Sequence, residues 1–485
     1  REPRLRQRYH SRLRLLFTMI LAALLGLPAS ASELPDLGES ARATITEAQE
    51  AQLGGEIMRQ IRGDKDFLDD PELVDYINSM GDKLVAASPA PYRHFEFFVV
   101  RDASINAFAL PGGYVGVHTG LISATRNESE LAGVIAHEIS HVTQNHIARM
   151  IDSQKGSALT SLAALAVAIL AARSDNPQIA QAAITTAQAM SIQSQLDYTR
   201  EHEREADRVG LQTLAGSGYD PAGMATFFER LQANSRLYES QAPAYLRTHP
   251  LTYERIADLQ NRLAEMKYHQ HADSLDYQLV RAKIQASEGE AIDAYKRFKV
   301  LAGSDQADVA IRYGLVIAAL RAGERDAAVK AFAKLEPELQ ASPMLVTLAA
   351  RLRMEAGQPG KALEILRAGV AKYSSYKPLV YAYARALLST AKAQEAKRFV
   401  SERLRWWADD QNLYRLLAES DHALGRRAEG HLAQAEAHIR LDQPALAMEQ
   451  LQLARQAGDG DFYTMSVVDA RLRELKEREQ REAKK

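Results

Sequence analysis

A fixed spacing of 34 residues between small side chains runs through the second half of the chain and limits it to few architectures. One register of this spacing holds Gly289, Gly323, Gly357 and Gly425, with Ala391 in the gap, and another holds Ala294, Ala328, Ala362 and Ala396. A bulky position keeps the same step at Phe298, Phe332, Leu366 and Val400. An irregular helical bundle has no reason to keep several registers over three or more periods. The spacing therefore predicts an array of repeated helical units.

The repeat resembles the tetratricopeptide repeat, in which glycine lies between two helices and alanine marks their crossing. Its register slips after Gly430 and restarts out of phase at Pro444, so we expect the last repeats to be irregular or capping. We assign the all-α repeat array to residues 270–460, and a charge-dense terminal helix or tail to residues 461–485. Such arrays offer concave grooves and carry no chemistry of their own, so this one predicts protein partners.

Length and composition narrow the classes of protein further. A chain of 485 residues is too long for one ordinary core, so we expect two or three domains. Sixty basic residues against sixty-two acidic ones argue against a nucleic-acid-binding protein. There is no cysteine, which leaves histidine, aspartate and glutamate as the strong metal ligands.

The first thirty residues have the pattern of an export signal. An arginine-rich start precedes an apolar stretch from Leu15 to Leu27 and the small-residue site Ala29-Ser30-Ala31. The apolar stretch is too short to span a bilayer comfortably, and the small-residue site favours cleavage. We therefore predict a signal peptide at 1–31 that is removed on export.

The segment between the signal and the repeats reads as an α+β domain. Helical periodicity begins near Glu47, and apolar, β-branched runs predict strands at Phe95 to Val100, Ile105 to Leu110 and Tyr114 to Val117. The predicted fold is a mostly helical α+β domain with a small sheet at residues 32–265, followed by the all-α array.

The candidate catalytic motif is His137-Glu138-Ile139-Ser140-His141. The apolar run before the motif, with Asn127 and Glu130 as a capping pair, predicts a buried helix. Because the two histidines are four residues apart, both imidazoles lie on the same side of that helix, as tetrahedral zinc requires. Zinc lowers the pKa of its bound water to about 7, and Glu138 is placed to accept the proton as general base.

A later acidic helix offers a third ligand. Glu203 and Asp207 lie four apart on one helical face, so Glu203 can complete the zinc site while Asp207 accepts a hydrogen bond from a ligand imidazole or assists proton transfer. Spacing alone also permits Glu201 or Glu205, and a solvated acidic helix would show the same pattern. In metzincins a glycine and then a third histidine follow the second histidine, but here those two places hold Gln144 and Ile147. His146 lies off the metal-facing stripe.

These motifs, together with His249-Pro250-Leu251-Thr252-Tyr253-Glu254-Arg255-Ile256, resemble the gluzincin family of the CAAX prenyl protease and the HtpX heat-shock protease. The resemblance implies a zinc metallopeptidase with one Zn²⁺ on His137, His141 and Glu203, catalysis by Glu138, and Asp207 as proton donor. An exported form with repeats is similar to a periplasmic member of the family. That similarity implies outer-membrane β-barrel proteins and their assembly machinery as substrates and partners, with a chaperone-like role beside proteolysis.

Three further features follow from the resemblance. His249 would face the zinc, where it either donates to the oxyanion or takes the fourth metal position in a latent state, while a plain alternative is a loop histidine that caps the next helix. The segment Asn106 to Gly113 resembles the family's edge strand, against which an extended substrate can pair. The apolar segment 157–172 is too short to span a bilayer, so we expect a lid over the cleft or a peripheral membrane contact.

Two other functions compete with an endopeptidase. One is a repeat-based binding or chaperone module whose metal is structural or whose protease site stays latent. The other is a zinc hydrolase that does not cleave peptides, because the motif positions the water and not the substrate.

Overall fold

The structure is a computed structural model that describes residues 46–91, 93–153, 200–237, 243–267, 269–304 and 307–482. The predicted signal peptide at 1–31 and the apolar segment 157–172 lie outside these residues. Among the helices that it describes, none has both the length and the apolar composition needed to cross a bilayer.

The first part of the chain combines a small sheet with helices. Its strands are β1 (Phe67–Leu68), β2 (Glu96–Val100), β3 (Ala107–Leu110) and β4 (Tyr114–His118), in the order β1-β2-β4-β3. Strands β2 and β4 are parallel, while β1 with β2 and β3 with β4 are antiparallel. The helices are α1 (Glu47–Arg62), α2 (Pro71–Ala86), α3 (Thr119–Ala124), α4 (Glu128–Thr143), α5 (His146–Ser153), α6 (Arg200–Gly216), α7 (Ala222–Leu237), α8 (Ala244–Thr248) and α9 (Tyr253–Glu265).

The small sheet is buried on both faces. Phe97 and Val99 of β2 belong to the main core that contains α4, whereas Phe98 and Val100 pack with α1. Burial of both faces explains the uninterrupted apolar run of β2, because alternation is expected only when one face meets water. The predicted strand, turn and strand from 105 to 117 is confirmed, while the two-residue β1 was not predicted.

The second part is a stack of antiparallel helix pairs. The first helix of five successive pairs begins at Leu275, Val309, Pro343, Lys377 and Gln411, each 34 residues after the one before. The helices are α10 (Leu275–Ser287), α11 (Ala291–Ala302), α12 (Val309–Arg321), α13 (Arg325–Ala333), α14 (Pro343–Glu355), α15 (Pro359–Lys372), α16 (Lys377–Ser389), α17 (Ala393–Leu404), α18 (Gln411–Ala423), α19 (Arg427–Arg440), α20 (Pro444–Gln456) and α21 (Phe462–Glu482).

The glycine register marks the turn inside each pair. Gly289 has φ 62°, and Gly323, Gly357 and Gly425 likewise adopt the left-handed backbone conformation, which is of low energy cost for glycine. Ala391, which stands in the gap of this register, has φ 59°. The slip of register is also present, because α20 begins at Pro444, 33 residues after Gln411. The last helix, α21, packs on α20 through Val468, Leu472 and Leu475.

The two parts share one core. Tyr277 and Leu279 of α10 belong to the same buried cluster as Leu131 of α4. Polar contacts reinforce this packing, since Glu128 at the start of α4 accepts hydrogen bonds from the backbone and the hydroxyl of Ser274, both at 2.8 Å. The start of α4 is thereby bound to the start of the array.

Candidate metal centre

Four buried side chains converge on one point between α4, α6 and the residue after α8. His137, His141, Glu203 and His249 each offer a ligand atom, and these atoms lie within 4.8 Å of one another. The Nε2 atoms of His137 and His141 are 3.0 Å apart. The Glu203 carboxylate lies 3.5 Å from the first of these nitrogens and 3.6 Å from the second. The structure thus brings together the residues for which the sequence predicts metal binding.

The packing of α6 against α4 sets this geometry. Gly210 on α6 lies so close to α4 that a Cβ there would be 3.2 Å from the backbone N and Cα of His137. Helix α4 is buried over nearly its whole length, and Asn127 caps it by accepting from the backbone N–H of Glu130 at 2.9 Å. Because both helices are closely packed, Glu203 is presented to the two histidines from a fixed direction.

The structure distinguishes Glu203 from the neighbouring acids that spacing alone permits. Glu203 is 1% exposed and faces the two imidazoles. Glu201 is exposed, and Glu205 faces away to pair with Arg149 at 2.7 Å and His146 at 3.2 Å. The alternative of a wholly solvated acidic helix is therefore wrong.

Each imidazole on α4 has a polar side-chain atom within 3.0 Å of its other ring nitrogen. His141 Nδ1 is 2.8 Å from Nδ1 of His146, whose Nε2 in turn meets Glu205. His137 Nδ1 is 3.0 Å from Asp207 Oδ1. Such contacts fix the tautomer and orientation of a ligand histidine. His146 thus contacts the ring nitrogen of His141 that points away from the other candidate ligands, consistent with its predicted place off the metal-facing stripe.

Asp207 also accepts two hydrogen bonds from Arg255, both at 2.7 Å. Burial alone would raise the pKa of the Asp207 carboxyl, but the Arg255 charge and hydrogen bonds outweigh it, so the pKa is lowered. A carboxylate held ionised in this way accepts protons poorly and has none to donate. Of the two roles open to Asp207, the geometry favours orientation of His137.

Sequence reasoning assigned no role to Arg255, although it lies in the segment that follows His249. Arg255 is 2% exposed and pairs with Glu203 at 2.7 Å as well as with Asp207. A signal was present, because two acids on one helical face need a compensating cation if that face is buried. The sequence offers several arginines near that helix, and only the fold selects the one 48 residues beyond Asp207.

Glu138 supplies a test of whether a metal fits. Its side chain is fully buried, and neither carboxylate oxygen accepts a hydrogen bond of normal geometry from the described residues. Burial raises the pKa of this carboxyl, as expected of a base that must take up a proton. Two imidazoles and one carboxylate are the donor set of a catalytic zinc site, and the buried Glu138 carboxylate lies beside them. The residues present therefore fit zinc.

His249 is part of this centre and does not cap the next helix. Its Nδ1 is 3.0 Å from Glu203 Oε1, and its Nε2 is 3.6 Å from Glu138 Oε1. The cap of α9 is instead Thr252, whose hydroxyl accepts from the backbone N–H of Arg255. The Tyr245 ring stacks on the His249 ring, with 4.7 Å between the centroids. The backbone carbonyl of Tyr245 also accepts a hydrogen bond of 2.8 Å from the backbone N–H of His249. The plain alternative for His249 is thus wrong.

The edge strand lies beside the Glu138 carboxylate. Strand β3 pairs with β4 along one side and ends the strand order of the sheet. The backbone of Ala109 in β3 is close enough to Glu138 to favour its charged form. An extended chain added to this edge would therefore pass next to the metal centre.

Comparison with known proteins agrees with this geometry. Residues 71–263 match peptidase family M48, and residues 353–420 match a tetratricopeptide repeat family. The chain is 34% identical over 487 residues to the beta-barrel assembly-enhancing protease of Escherichia coli (strain K12), covering 96% of this chain and 97% of that protein. It is 36% identical over 419 residues to a putative beta-barrel assembly-enhancing protease of Vibrio cholerae, covering 84% and 86%. The mitochondrial metalloendopeptidase OMA1 of Schizosaccharomyces pombe is 30% identical over 191 residues, covering 39% of this chain and 53% of that protein.

Proposed function

The chain belongs to the family of beta-barrel assembly-enhancing proteases and is a zinc metalloprotease, and from that premise we propose that it is a periplasmic endopeptidase that acts on outer-membrane β-barrel proteins. It promotes their assembly, with a chaperone-like contribution, or degrades misassembled forms. The export pattern of residues 1–31 supports the location, and the names of the relatives support the substrate class. The repeat array supports recognition of protein partners, including the assembly machinery.

We assign the chemistry to residues 32–265, the recognition to the array at 270–460, and the terminal segment to 461–485. His137, His141 and Glu203 would hold one Zn²⁺, which would supply Lewis-acid chemistry towards water and a scissile carbonyl. Glu138 would accept a proton from the attacking water at a carboxylate oxygen and pass it to the leaving amine. Asp207 and His146 hold the two imidazoles in orientation, and Arg255 keeps Asp207 and Glu203 ionised.

His249 defines the resting state in this proposal. Its ring meets both Glu203 and Glu138, so it occupies the space that substrate and water need. We therefore expect His249→Ala to raise cleavage of an unfolded substrate, because the substitution opens the fourth metal position. The measurement is the initial rate per zinc-loaded protein. A lower rate would instead assign His249 to stabilisation of the oxyanion.

Glu138→Gln tests the function itself. The buried carboxylate of Glu138, which accepts no hydrogen bond of normal geometry from the described residues, carries the mechanism, so its loss should reduce cleavage of unfolded β-barrel protein by at least about 10²-fold. Zinc content, measured by elemental analysis, should be unchanged, whereas Glu203→Gln should lower it. If cells that carry Glu138→Gln keep normal outer-membrane assembly, the chain acts mainly as a binding or chaperone module with a latent site. Equal zinc in wild type and Glu203→Gln would remove Glu203 as a ligand.

A further inference from the structure

A cavity of about 1390 Å³ lies between the catalytic part and the repeat array, away from the metal centre. One wall is the face of α2 that carries Glu72, Asp75 and Asp82. The opposite wall consists of the loop 372–376 and the residues at the start of α16 and α18. The volume exceeds the roughly 300–1,000 Å³ of small-molecule sites, so the space suits a segment of a polymer.

The lining of this cavity is acidic. Nine aspartate and glutamate side chains line it against five lysines and arginines. Several of the acids are neutralised by neighbours, such as Glu72 by Lys283 at 2.7 Å and Glu96 by Arg62. An excess of negative charge remains and disfavours a nucleic acid or an acidic peptide as the occupant.

The excess is concentrated at three neighbouring carboxylates, two of which interact with the same cation, Lys377. Asp75 interacts with the backbone and the charge of Lys377, and Lys377 Nζ is also 3.3 Å from Asp410. Asp276 accepts from the Ser342 hydroxyl at 2.7 Å and adds to the negative potential at Asp75. Burial raises the pKa of Asp75 to about 6, which shows that Lys377 does not fully compensate the loss of water.

A buried hydroxyl provides an independent sign of a missing partner. Tyr376 lines the cavity, and its hydroxyl is buried with no hydrogen-bond partner among the residues that the structure describes. Glu72, Asp75 and Asp276 are its electrostatic neighbours. A buried polar group without a partner is unfavourable, and the carboxylates around this hydroxyl would attract a cationic group to the same part of the cavity.

A bare metal ion fits the cavity less well. Among the described residues, the ligand atoms that converge closely enough to hold a metal are those of His137, His141, Glu203 and His249. The described carboxylates of the cavity do not converge in this way. The carboxylates are instead spread along both walls, with Tyr373, Tyr376 and Tyr381 between them. Charges spaced along an aromatic groove match an extended chain that carries several cationic side chains.

We propose that this cavity binds an extended, unfolded polypeptide segment through its lysine or arginine side chains, with Asp75, Asp276 and Asp410 as the recognising carboxylates. The proposal rests on the proposed function in taking unfolded protein as the substrate. It adds a binding site separate from the metal centre, at which Lys377 occupies the position of the cationic ligand when no chain is bound.

Fluorescence anisotropy on the full chain with Glu138→Gln tests the proposal without cleavage. The probes are two labelled twelve-residue peptides of the same apolar sequence, one with lysine at every third position and one with glutamate there. We expect the lysine peptide to bind at least tenfold more tightly, and Asp75→Asn with Asp276→Asn to remove most of that difference. The matched control, Asp293→Asn with Asp326→Asn, alters exposed acids of α11 and α13 and should leave binding unchanged.

Lys377→Met should strengthen binding of the lysine peptide about threefold, because the competing cation is lost, and a general loss of structure cannot produce that gain. Equal binding of both peptides, binding of neither, or equal losses in the two double variants would overturn the proposal. Cleavage by the wild-type chain is measured in parallel. Retained cleavage without lysine preference rejects the cavity alone, whereas lysine-selective binding without cleavage rejects the protease function alone.

Discussion

At the scale of single residues, the centre depends on charges that are buried in pairs. Glu203 and Asp207 are each 1% exposed, and Arg255 at 2% is the cation that contacts both. A buried ionised carboxylate is costly without a charged or hydrogen-bonded partner, so Glu203, Asp207 and Arg255 form one electrostatic unit. Arg255 is therefore as important to the site as a ligand, although it contacts neither imidazole in the pairs described above.

Arg255→Met tests this dependence. The substitution leaves Asp207 and Glu203 buried without their cation, so we expect a loss of about 3 to 5 kcal/mol in the free energy of unfolding. Zinc affinity should fall by about 10- to 100-fold, since the orientation of His137 is lost with that of Asp207. Denaturant titration and competition with a zinc chelator measure the two effects. The control is Arg208→Met, because Arg208 forms an exposed ion pair with Asp258 that should contribute about 1 kcal/mol or less to stability. Similar losses of stability in both variants would contradict the argument.

At the scale of secondary-structure elements, the site depends on how closely α6 approaches α4. The histidines share a face of α4 by spacing alone, but Glu203 reaches them because Gly210 permits contact with the backbone of His137. The repeat helices follow the same logic, since Gly314 is packed against the Phe298 ring of the preceding helix. Small residues in this protein therefore set distances between helices.

Gly210→Ala should separate α6 from α4. The added Cβ would lie 3.0 Å from Met224 Cε and 3.2 Å from the His137 backbone, so we expect a loss of about 1 to 3 kcal/mol in stability and weaker zinc binding. Gly216→Ala on the same helix is the control, because its Cβ meets Ala87 at an ordinary 3.5 Å. Thermal unfolding with and without zinc compares the two. Unchanged zinc affinity in Gly210→Ala would show that α6 can shift without moving Glu203.

At the scale of the whole molecule, catalytic part and array are one packed body with a polar cavity between them. The shared core joins α10 to α4, and the half-buried carboxylates of Glu72 and Asp75 on α2 line the cavity together with residues of the array. This arrangement destabilises the charged form of Asp75. Burial raises the pKa of its carboxyl from 3.8 to about 6 despite the nearby charge of Lys377, and repulsion from Asp276 and Asp410 acts in the same direction as burial.

Asp75→Asn should therefore change stability in a pH-dependent way. A folded-state pKa above the unfolded one means that the folded protein binds the proton more tightly, so wild-type stability falls as pH rises from about 4 through about 6. We expect the variant to raise Tm by a few degrees at pH 7.5 and to give no gain at pH 4.5. Calorimetry at both values checks this, with the exposed Asp293→Asn as control. A gain that is larger at the lower pH would show that the assigned direction is wrong.

The sequence by itself determined what depends on spacing within a segment. The 34-residue period specified the helix pairs, and the spacing of four placed His137 and His141 on one face, because helical geometry converts local periodicity directly into position. Only the tertiary structure decided which distant groups meet. Arg255 with Asp207, His146 behind His141, His249 against Glu203, and the acidic cavity between α2 and the array all join elements whose mutual approach is set by core packing. Local periodicity contains no information about that approach, so these contacts could not be derived from spacing.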